Sequence, residues 1–152
     1  MQNSNVQDRY AGLQLEVQLC FPLYATSRAV TARYAELLGP VGLTYPQYLV
    51  MLTLWEGTTT VGEIGTRLRL DSGTLTPLVK RLEGRGLVTR HRDPADERRV
   101  LVEPTAAGWG LREEVVDVPR EIAMAMGLTV EDYHELRRLL GKLVDNVRRT
   151  KR

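Results

Sequence analysis

The spacing of apolar residues changes in the middle of this chain, and the change restricts the fold strongly. Between residues 61 and 82 apolar residues recur every three or four positions, the period of amphipathic helices. The pattern predicts two short helices: Asp71 is placed to cap the second, and Gly84 and Gly86 end it. Their apolar faces are Val61, Ile64 and Leu68 in the first helix, and Leu75, Leu78, Val79 and Leu82 in the second.

After residue 86 the period becomes two, which is typical of strands. Residues 87–92 and 99–103 alternate in this way, and the turn formers of residues 93–98 join them, so we predict a hairpin. Two short helices followed by a hairpin with a basic tip form a winged helix-turn-helix. We assign this lobe to residues 44–105, in a fold that is mainly α with a small β-hairpin wing.

The N-terminal part predicts a long amphipathic helix. Its apolar stripe starts at Leu13 and stops at the Gly-Pro pair of residues 39–40. Pro22 lies inside this stretch, and proline is tolerated without loss of a hydrogen bond only near a helix start. Two arrangements are therefore open: a helix kinked at Pro22, or a helix that begins around Phe21 with Cys20 at its N-terminal end.

Two further helices are predicted, one at the start of the winged lobe and one directly after it. Thr44 as cap and Pro46 in the first turn predict a helix over residues 45–56. A second helix is predicted over residues 106–126, with a bend at Pro119.

The last predicted helix begins at a capping box formed by Thr129 and Asp132. Its apolar residues form a regular stripe, as in a buried core or a dimer seam. The stripe consists of Tyr133, Leu136, Leu139, Leu140, Leu143, Val144 and Val147. We therefore assign residues 10–40 and 106–150 to a helical dimerisation region.

Composition limits the class of protein. A chain of 152 residues with 43% apolar and 26% charged residues suits one globular domain, residues 1–152. The longest apolar run, residues 48–55, is too short to cross a bilayer, and the polar start lacks the pattern of a secretion signal. We therefore expect a cytoplasmic protein with no membrane partner. One cysteine cannot form an intrachain disulfide, and with two histidines we expect no metal site and no cofactor.

The charge distribution favours an anionic partner. The net charge is only +2, but residues 67–99 carry nine Lys/Arg against five Asp/Glu. The second helix of the winged lobe starts with small side chains and free backbone N–H groups that suit close approach to bases and phosphates. Arg98, predicted at the hairpin tip, can reach a minor groove while a carboxylate beside it holds its guanidinium. A merely solvated charge cluster is the alternative. The predicted DNA-contacting residues are Ser72, Gly73, Thr74, Thr76, Lys80, Arg81, Asp96 and Arg98.

Two motifs resemble a known family. The run LDSGTLTPL at residues 70–78, with RLE at 81–83 and DER at 96–98, resembles MarR-type winged-helix repressors. The runs LCFPLYATSR at 19–28 and LTYPQYLV at 43–50 resemble the OhrR branch, which senses organic hydroperoxides. The resemblance implies a homodimeric repressor of transcription, not an enzyme, with double-stranded DNA as its partner. Two symmetry-related recognition helices would bind an inverted-repeat operator.

The resemblance also assigns the sensing residues. Cys20 aligns with the cysteine whose oxidation by an organic hydroperoxide releases DNA. Tyr34 and Tyr45 align with tyrosines that hydrogen-bond its sulfur, and Tyr24 aligns with a further tyrosine near the site. The chain departs from the family at Pro22, where a small helix former is expected. Because it has no second cysteine, a low-molecular-weight thiol is the expected reactant that caps the oxidised sulfur.

Helix geometry restricts the contacts of the same residues, independently of the family. If Cys20 and Tyr34 lie on one helix, their separation of fourteen residues corresponds to roughly 21 Å along its axis. They cannot touch within one chain. A hydrogen bond between them therefore requires the antiparallel helix of a partner subunit.

Other functions fit parts of the sequence. Cys20 and the three tyrosines are equally typical of plain packing. In that case a repressor released by a small aromatic ligand is the nearest alternative. A thiol peroxidase is disfavoured because no resolving cysteine or nearby histidine accompanies Cys20. An architectural DNA binder without sequence preference is the third alternative.

Overall fold

Residues 10–149 are described by a computed structural model, and Cys20 is the first residue of its helix α1, Cys20–Leu38. Two 3-10 turns within residues 11–17 precede this helix. Pro22 is the third residue of α1, where the backbone N–H of any residue lacks an intrahelical acceptor. The helix thus begins where the second arrangement placed it, and the prediction of one helix running from Leu13 is wrong.

A 3-10 turn, Gly39–Val41, follows α1 and leads to helix α2, Tyr45–Leu54. The predicted cap of α2 is confirmed. The hydroxyl of Thr44 accepts from the Gln47 N–H, and the Gln47 side chain accepts from the Thr44 N–H at 2.9 Å. This reciprocal capping box satisfies two backbone donors at the start of α2.

The helix-turn-helix is confirmed as helix α3, Val61–Leu68, followed by helix α4, Ser72–Gly84. Asp71 caps α4 as predicted, since its carboxylate accepts from the Thr74 N–H at 2.9 Å. The buried face of α4 consists of Leu75, Val79 and Leu82. Leu78, which was predicted on this face, is only half-buried.

The wing is confirmed as an antiparallel hairpin of strand β2, Val88–Asp93, and strand β3, Asp96–Pro104. A two-residue strand β1, Thr59–Thr60, pairs with the other side of β3, so the sheet order is β1-β3-β2. The connection is only the two residues 94–95, with an irregularity between residues 92 and 93. Arg98 therefore lies within β3 near the tip, and its predicted place at the tip itself is wrong.

The chain divides into two units, the first of which ends at Val116. In this unit the described core is formed by the inner faces of the helices and by β2 and β3. Its buried apolar residues are Leu38, Leu43, Tyr48, Val50, Met51, Leu54, Ile64, Leu75, Val79, Leu82, Leu87, Val88, Val102, Leu111 and Val115. The helix-turn-helix and the wing thus form one packed body.

The predicted helix over residues 106–126 is two helices, so the prediction of one bent helix is wrong. Helix α5, Ala106–Glu114, closes the first unit, and helix α6, Val118–Met126, opens the second. Pro119 lies in the first turn of α6. In one continuous helix, Pro119 could not donate a backbone hydrogen bond, and its ring would clash with the carbonyl four residues earlier. The helix therefore ends before Pro119 and a new one begins.

The last helix, α7, is Val130–Arg149. Its predicted cap is confirmed, because the Thr129 hydroxyl accepts from the Asp132 N–H at 3.1 Å. In the single described chain, α7 has no buried residue. Seven apolar residues of α7 are between 38% and 67% exposed: Val130, Tyr133, Leu136, Leu139, Leu140, Val144 and Val147.

Among residues 10–149 we find no single helix that is long and apolar enough to cross a membrane. Only the bent pair Cys20–Val41 and Tyr45–Leu54, which meet at 71°, satisfies that test, by length and composition.

Candidate functional site

Cys20 is exposed to solvent at the N-terminal end of α1. Tyr24, one turn later, is also exposed, and its hydroxyl accepts a hydrogen bond from Arg28 Nη1 at 3.1 Å. The Arg28 guanidinium carbon also lies 5.5 Å from the centre of the Tyr24 ring. Sequence reasoning missed Arg28, although its position four residues after Tyr24 is the spacing at which helical side chains meet.

Tyr34 and Tyr45 are brought together where α1 and α2 pack. Their rings stack with centroids 4.1 Å apart and an angle of 26° between planes. Burial raises the pKa of Tyr45, and a hydrogen bond with Tyr34 lowers it in part. The ring centroids of Tyr48 and Tyr34 are 5.9 Å apart, and Tyr48 is buried, so the aromatic cluster continues into the core.

The structure does not bring these two tyrosines to the cysteine of the same chain. Cys20 and Tyr34 lie on one continuous helix, fourteen residues apart, which corresponds to roughly 21 Å along the axis. Within one chain the predicted sensing residues therefore form two separate groups: the exposed Cys20 with Tyr24 at one end of α1, and the Tyr34–Tyr45 pair towards the other.

The predicted DNA-contacting residues of α4 share its exposed side. Ser72, Gly73 and Thr74 form the exposed first turn, Thr76 is half-buried, and Lys80 and Arg81 are exposed. The Thr74 hydroxyl donates to the Asp71 carboxylate at 3.1 Å, and the hydrogen bond from the Thr74 N–H lowers the pKa of Asp71. A Cβ at position 73 would lie 3.0 Å from Asp71 Oδ1, so glycine suits this tight first turn.

The Arg98 side chain stands out from the wing and is 91% exposed. Its Nε lies 3.2 Å from Asp96 Oδ1, and its backbone N–H donates to the same oxygen at 3.1 Å. The carboxylate of Asp96 thus orients the Arg98 side chain at Nε, and the terminal Nη atoms can reach a ligand.

Two ion pairs, both missed by sequence reasoning, tie the wing to the helices. Arg90 of β2 donates to Glu83 of α4 at 2.9 and 2.5 Å, which lowers the pKa of Glu83. Arg99 of β3 lies 3.1 Å from Glu63 of α3. The pKa of Glu63 is lowered to about 2, chiefly because the Thr60 backbone N–H donates to its carboxylate. No signal in the sequence indicates these pairs, because the partners belong to different elements.

Within the described part of the chain, no group of three or more His, Cys, Asp or Glu side chains is arranged to hold a metal ion. The chemical groups that the geometry offers are therefore the thiol, the phenols and the basic surface of α4 and the wing.

Most of this chain is similar to known proteins. The model of the MarR family matches residues 43–100. The organic hydroperoxide resistance transcriptional regulator of Bacillus subtilis (strain 168) is 45% identical over 143 residues, which are 93% of this chain and 97% of that protein. The solved structure of reduced AbfR bound to DNA matches with a TM-score of 0.75 and 35% identity, over 91% of this chain and 98% of AbfR.

A further solved structure is similar to most of this chain. It concerns Bordetella bronchiseptica BpsR and the regulation of its DNA binding by 6-hydroxynicotinic acid. It matches with a TM-score of 0.80 and 27% identity, over 87% of this chain and 96% of BpsR.

Proposed function

The chain belongs to the MarR family of transcriptional regulators, and we propose that it is a homodimeric repressor that senses organic hydroperoxides through Cys20. Its relatives are named as transcriptional regulators, so it is a regulator and not an enzyme. One observation carries the sensing proposal. The only cysteine of the chain is exposed and is the first residue of α1, where an oxidant can reach its sulfur.

The position of Cys20 favours its reaction with peroxides. The N-terminal end of a helix stabilises a negative charge, and the thiolate is the nucleophile in this chemistry. Leu19 and Phe21 are exposed beside it, and these apolar side chains favour a peroxide that carries an organic group.

The proposed reaction has two steps. The thiolate attacks one peroxide oxygen, the O–O bond breaks, and the leaving alkoxide takes a proton to become an alcohol, which leaves a sulfenic acid on Cys20. A low-molecular-weight thiol then displaces water from the sulfenic acid and forms a mixed disulfide. Sulfur is oxidised by two electrons and the peroxide is reduced by two. Excess thiol reverses the modification by exchange.

We propose that the second group of sensing residues comes from the other subunit. Because Cys20 cannot reach Tyr34 within its chain, an antiparallel partner would bring Tyr34 and Tyr45 of the partner subunit to the sulfur, while Tyr24 approaches from the same chain. The exposed apolar stripe of α7 supports dimerisation, since a stripe of this length is unfavourable in water.

DNA binding is proposed for the exposed side of α4 and for the wing. Two copies of α4 would enter successive major grooves of an inverted repeat, with half-sites about 10 base pairs apart. Arg98, oriented by Asp96, would reach the minor groove. A thiol adduct on Cys20 would separate the packed helices of the dimer and change the spacing of the two α4 helices, which releases the operator.

The proposal is tested by measuring protein mass and operator binding on the same sample after treatment with cumene hydroperoxide and a small thiol. We expect loss of binding to follow the fraction of chains that carry the thiol adduct, and reductant to restore both. Release of the operator from protein of unchanged mass would contradict the proposal.

The match to BpsR favours one second candidate, a repressor released by a small aromatic acid, in which Cys20 is structural. Release of the operator by such an acid, with the thiol still free and with no response to cumene hydroperoxide, would establish that alternative.

A further inference from the structure

Arg85, the residue that follows α4, reaches across to the connector between α1 and α2. Its Nη1 donates to the Gly42 carbonyl at 2.6 Å, and its Nη2 donates to the Val41 carbonyl at 2.9 Å. A guanidinium presents several donors in a fixed plane and can bind two successive carbonyls, which an ammonium group cannot do with the same geometry. Arg85 therefore fixes the end of α4 to one short piece of backbone.

The connector, residues 39–43, has backbone hydrogen bonds of its own. Its 3-10 turn is closed by the Gly42 N–H, which donates to the Gly39 carbonyl at 2.9 Å, and the Leu43 N–H donates to the Leu38 carbonyl at 3.2 Å. Leu38 and Leu43 are buried at its two ends. Arg85 thus holds two carbonyls of a short connector that is anchored in the core at both ends.

Gly42 has the left-handed conformation, with φ of +67°, and a Cβ there would lie 3.1 Å from Arg85 Nη2. Glycine at this position thus has two reasons: the backbone conformation and the space taken by the guanidinium. The contact can consequently be perturbed independently from either side.

We propose that Arg85 is the positioning residue that couples the proposed sensing residues of α1 and α2 to the recognition helix α4. The connector joins α1, which carries Cys20 and Tyr34, to α2, which carries Tyr45. Movement at the Tyr34–Tyr45 pair reaches α4 through the two hydrogen bonds of Arg85. The Arg90–Glu83 pair has a different effect, because it ties α4 to the wing, which belongs to the same DNA-binding lobe. The coupling role rests on the proposed function, whereas the effect of Arg85 on α4 in the reduced protein does not.

The test compares wild type with Arg85→Ala, Arg85→Lys and Gly42→Ala in the full-length protein. Arg112→Ala, which removes an exposed arginine from α5, is the control for charge. Operator affinity is measured over a range of salt concentrations, before and after oxidation with cumene hydroperoxide plus a small thiol. Amide hydrogen exchange of residues 39–43 is measured on the reduced proteins.

For Arg85→Ala we expect roughly 3- to 10-fold weaker operator binding by the reduced protein, as fits the loss of two partly exposed hydrogen bonds. Exchange in the connector should be faster, the salt slope unchanged, and the ratio of reduced to oxidised affinity smaller than in wild type. Arg85→Lys should recover part of the ratio. Gly42→Ala combined with Arg85→Ala should weaken binding by less than the product of the single effects, since both disrupt one contact.

Several results would overturn the proposal. One is a variant that binds more weakly in both states with an unchanged ratio, which is a purely structural effect. Another is a lower salt slope, which would mean that Arg85 contacts DNA phosphates directly. If wild type itself keeps its operator after oxidation, the proposed function fails. Arg85 is then judged on the reduced proteins: weaker operator binding with faster connector exchange supports its positioning role, and no change in either refutes it.

Discussion

Replacing Arg98 by alanine should weaken operator binding through the loss of one electrostatic contact in each half-site. The side chain is 91% exposed, and its guanidinium pairs with the neighbouring Asp96 carboxylate at 3.2 Å. Exposed ion pairs of this kind stabilise a fold by about 0–1 kcal/mol. The stability of Arg98→Ala should therefore be close to that of wild type, and its main defect should be in DNA binding.

The salt dependence gives the size of the effect. Each cationic contact to DNA contributes about 0.9 to the slope of log affinity against log salt concentration, so two copies of Arg98 contribute about 1.8. Between about 50 and about 200 mM salt, the ratio of wild-type to variant affinity should consequently fall by roughly 12-fold. The difference is thus largest at low salt.

Fluorescence anisotropy with labelled operator, at four or more salt concentrations, measures both slopes. Arg138→Ala is a matched control, because Arg138 is an exposed arginine of α7 that pairs with Glu135 at 2.7 Å. Its slope should equal that of wild type. A slope for Arg98→Ala that also equals the wild-type slope would remove Arg98 from the DNA interface and refute the argument.

Three further predictions concern folding, sensing and pH. Gly108→Ala would place a Cβ in steric overlap with the backbone carbonyl of Leu87 and should lower the free energy of unfolding by about 2–4 kcal/mol. Gly110→Ala has open space around the new Cβ and should raise the free energy of unfolding by up to ~1 kcal/mol. Urea unfolding compares the two variants, and equal effects would contradict the overlap. Tyr34→Phe and Tyr45→Phe should fold and bind operator normally, because each loses only a hydroxyl group. Without these hydrogen-bond donors, the oxidation of the cysteine thiol should be roughly 3- to 10-fold slower. Stopped-flow oxidation rates with cumene hydroperoxide that equal those of wild type would show that both tyrosines are packing residues only. The pKa of Glu63 is about 2 instead of its usual 4.5, so its carboxylate stabilises the fold fully above pH 4.5 and loses this effect as the pH falls towards 2. Urea unfolding at several pH values should therefore show that Glu63→Gln loses less stability than wild type over that interval. Parallel plots of stability against pH would show that the carboxylate of Glu63 does not titrate with folding.

The fold was predictable where short-range rules decide it. The caps at Thr44, Asp71 and Thr129 are set by residues three positions apart, and the structure has all of them. The change of period after residue 86 likewise depends on adjacent residues alone. The winged helix-turn-helix follows from these local signals.

The errors arise where neighbours in space decide the structure, or where a residue was weighed wrongly. Strand β1 has two residues, and its pairing with β3 is the only reason that it is a strand. The predicted bend at Pro119 inside one helix is wrong because a proline in the first turn of a new helix is the less strained arrangement. The predicted turn over residues 93–98 is too long, because the strands extend to residues 93 and 96 and only residues 94–95 connect them.

The candidate site shows the same division. The Tyr34–Tyr45 pair came from a family resemblance, and the structure brings the two rings into contact. The hydrogen bond of Arg85 to Gly42 spans 43 positions of sequence, and that of Arg99 to Glu63 spans 36 positions. The sequence near either arginine does not indicate its partner. Such pairs are visible only once the elements are packed.

The central claim is that oxidation of Cys20 controls operator binding, and Cys20→Ser tests it most directly. Serine nearly preserves the size of the side chain but lacks the nucleophilic sulfur, and the residue is exposed, so the variant should fold and bind operator as wild type does. Operator affinity is measured for both proteins before and after cumene hydroperoxide plus a small thiol, then after reductant. Wild type should lose the operator and regain it on reduction, with hydrogen peroxide less effective at equal concentration, while the serine variant stays bound throughout. Release of the serine variant as readily as wild type would show that Cys20 is not the sensor.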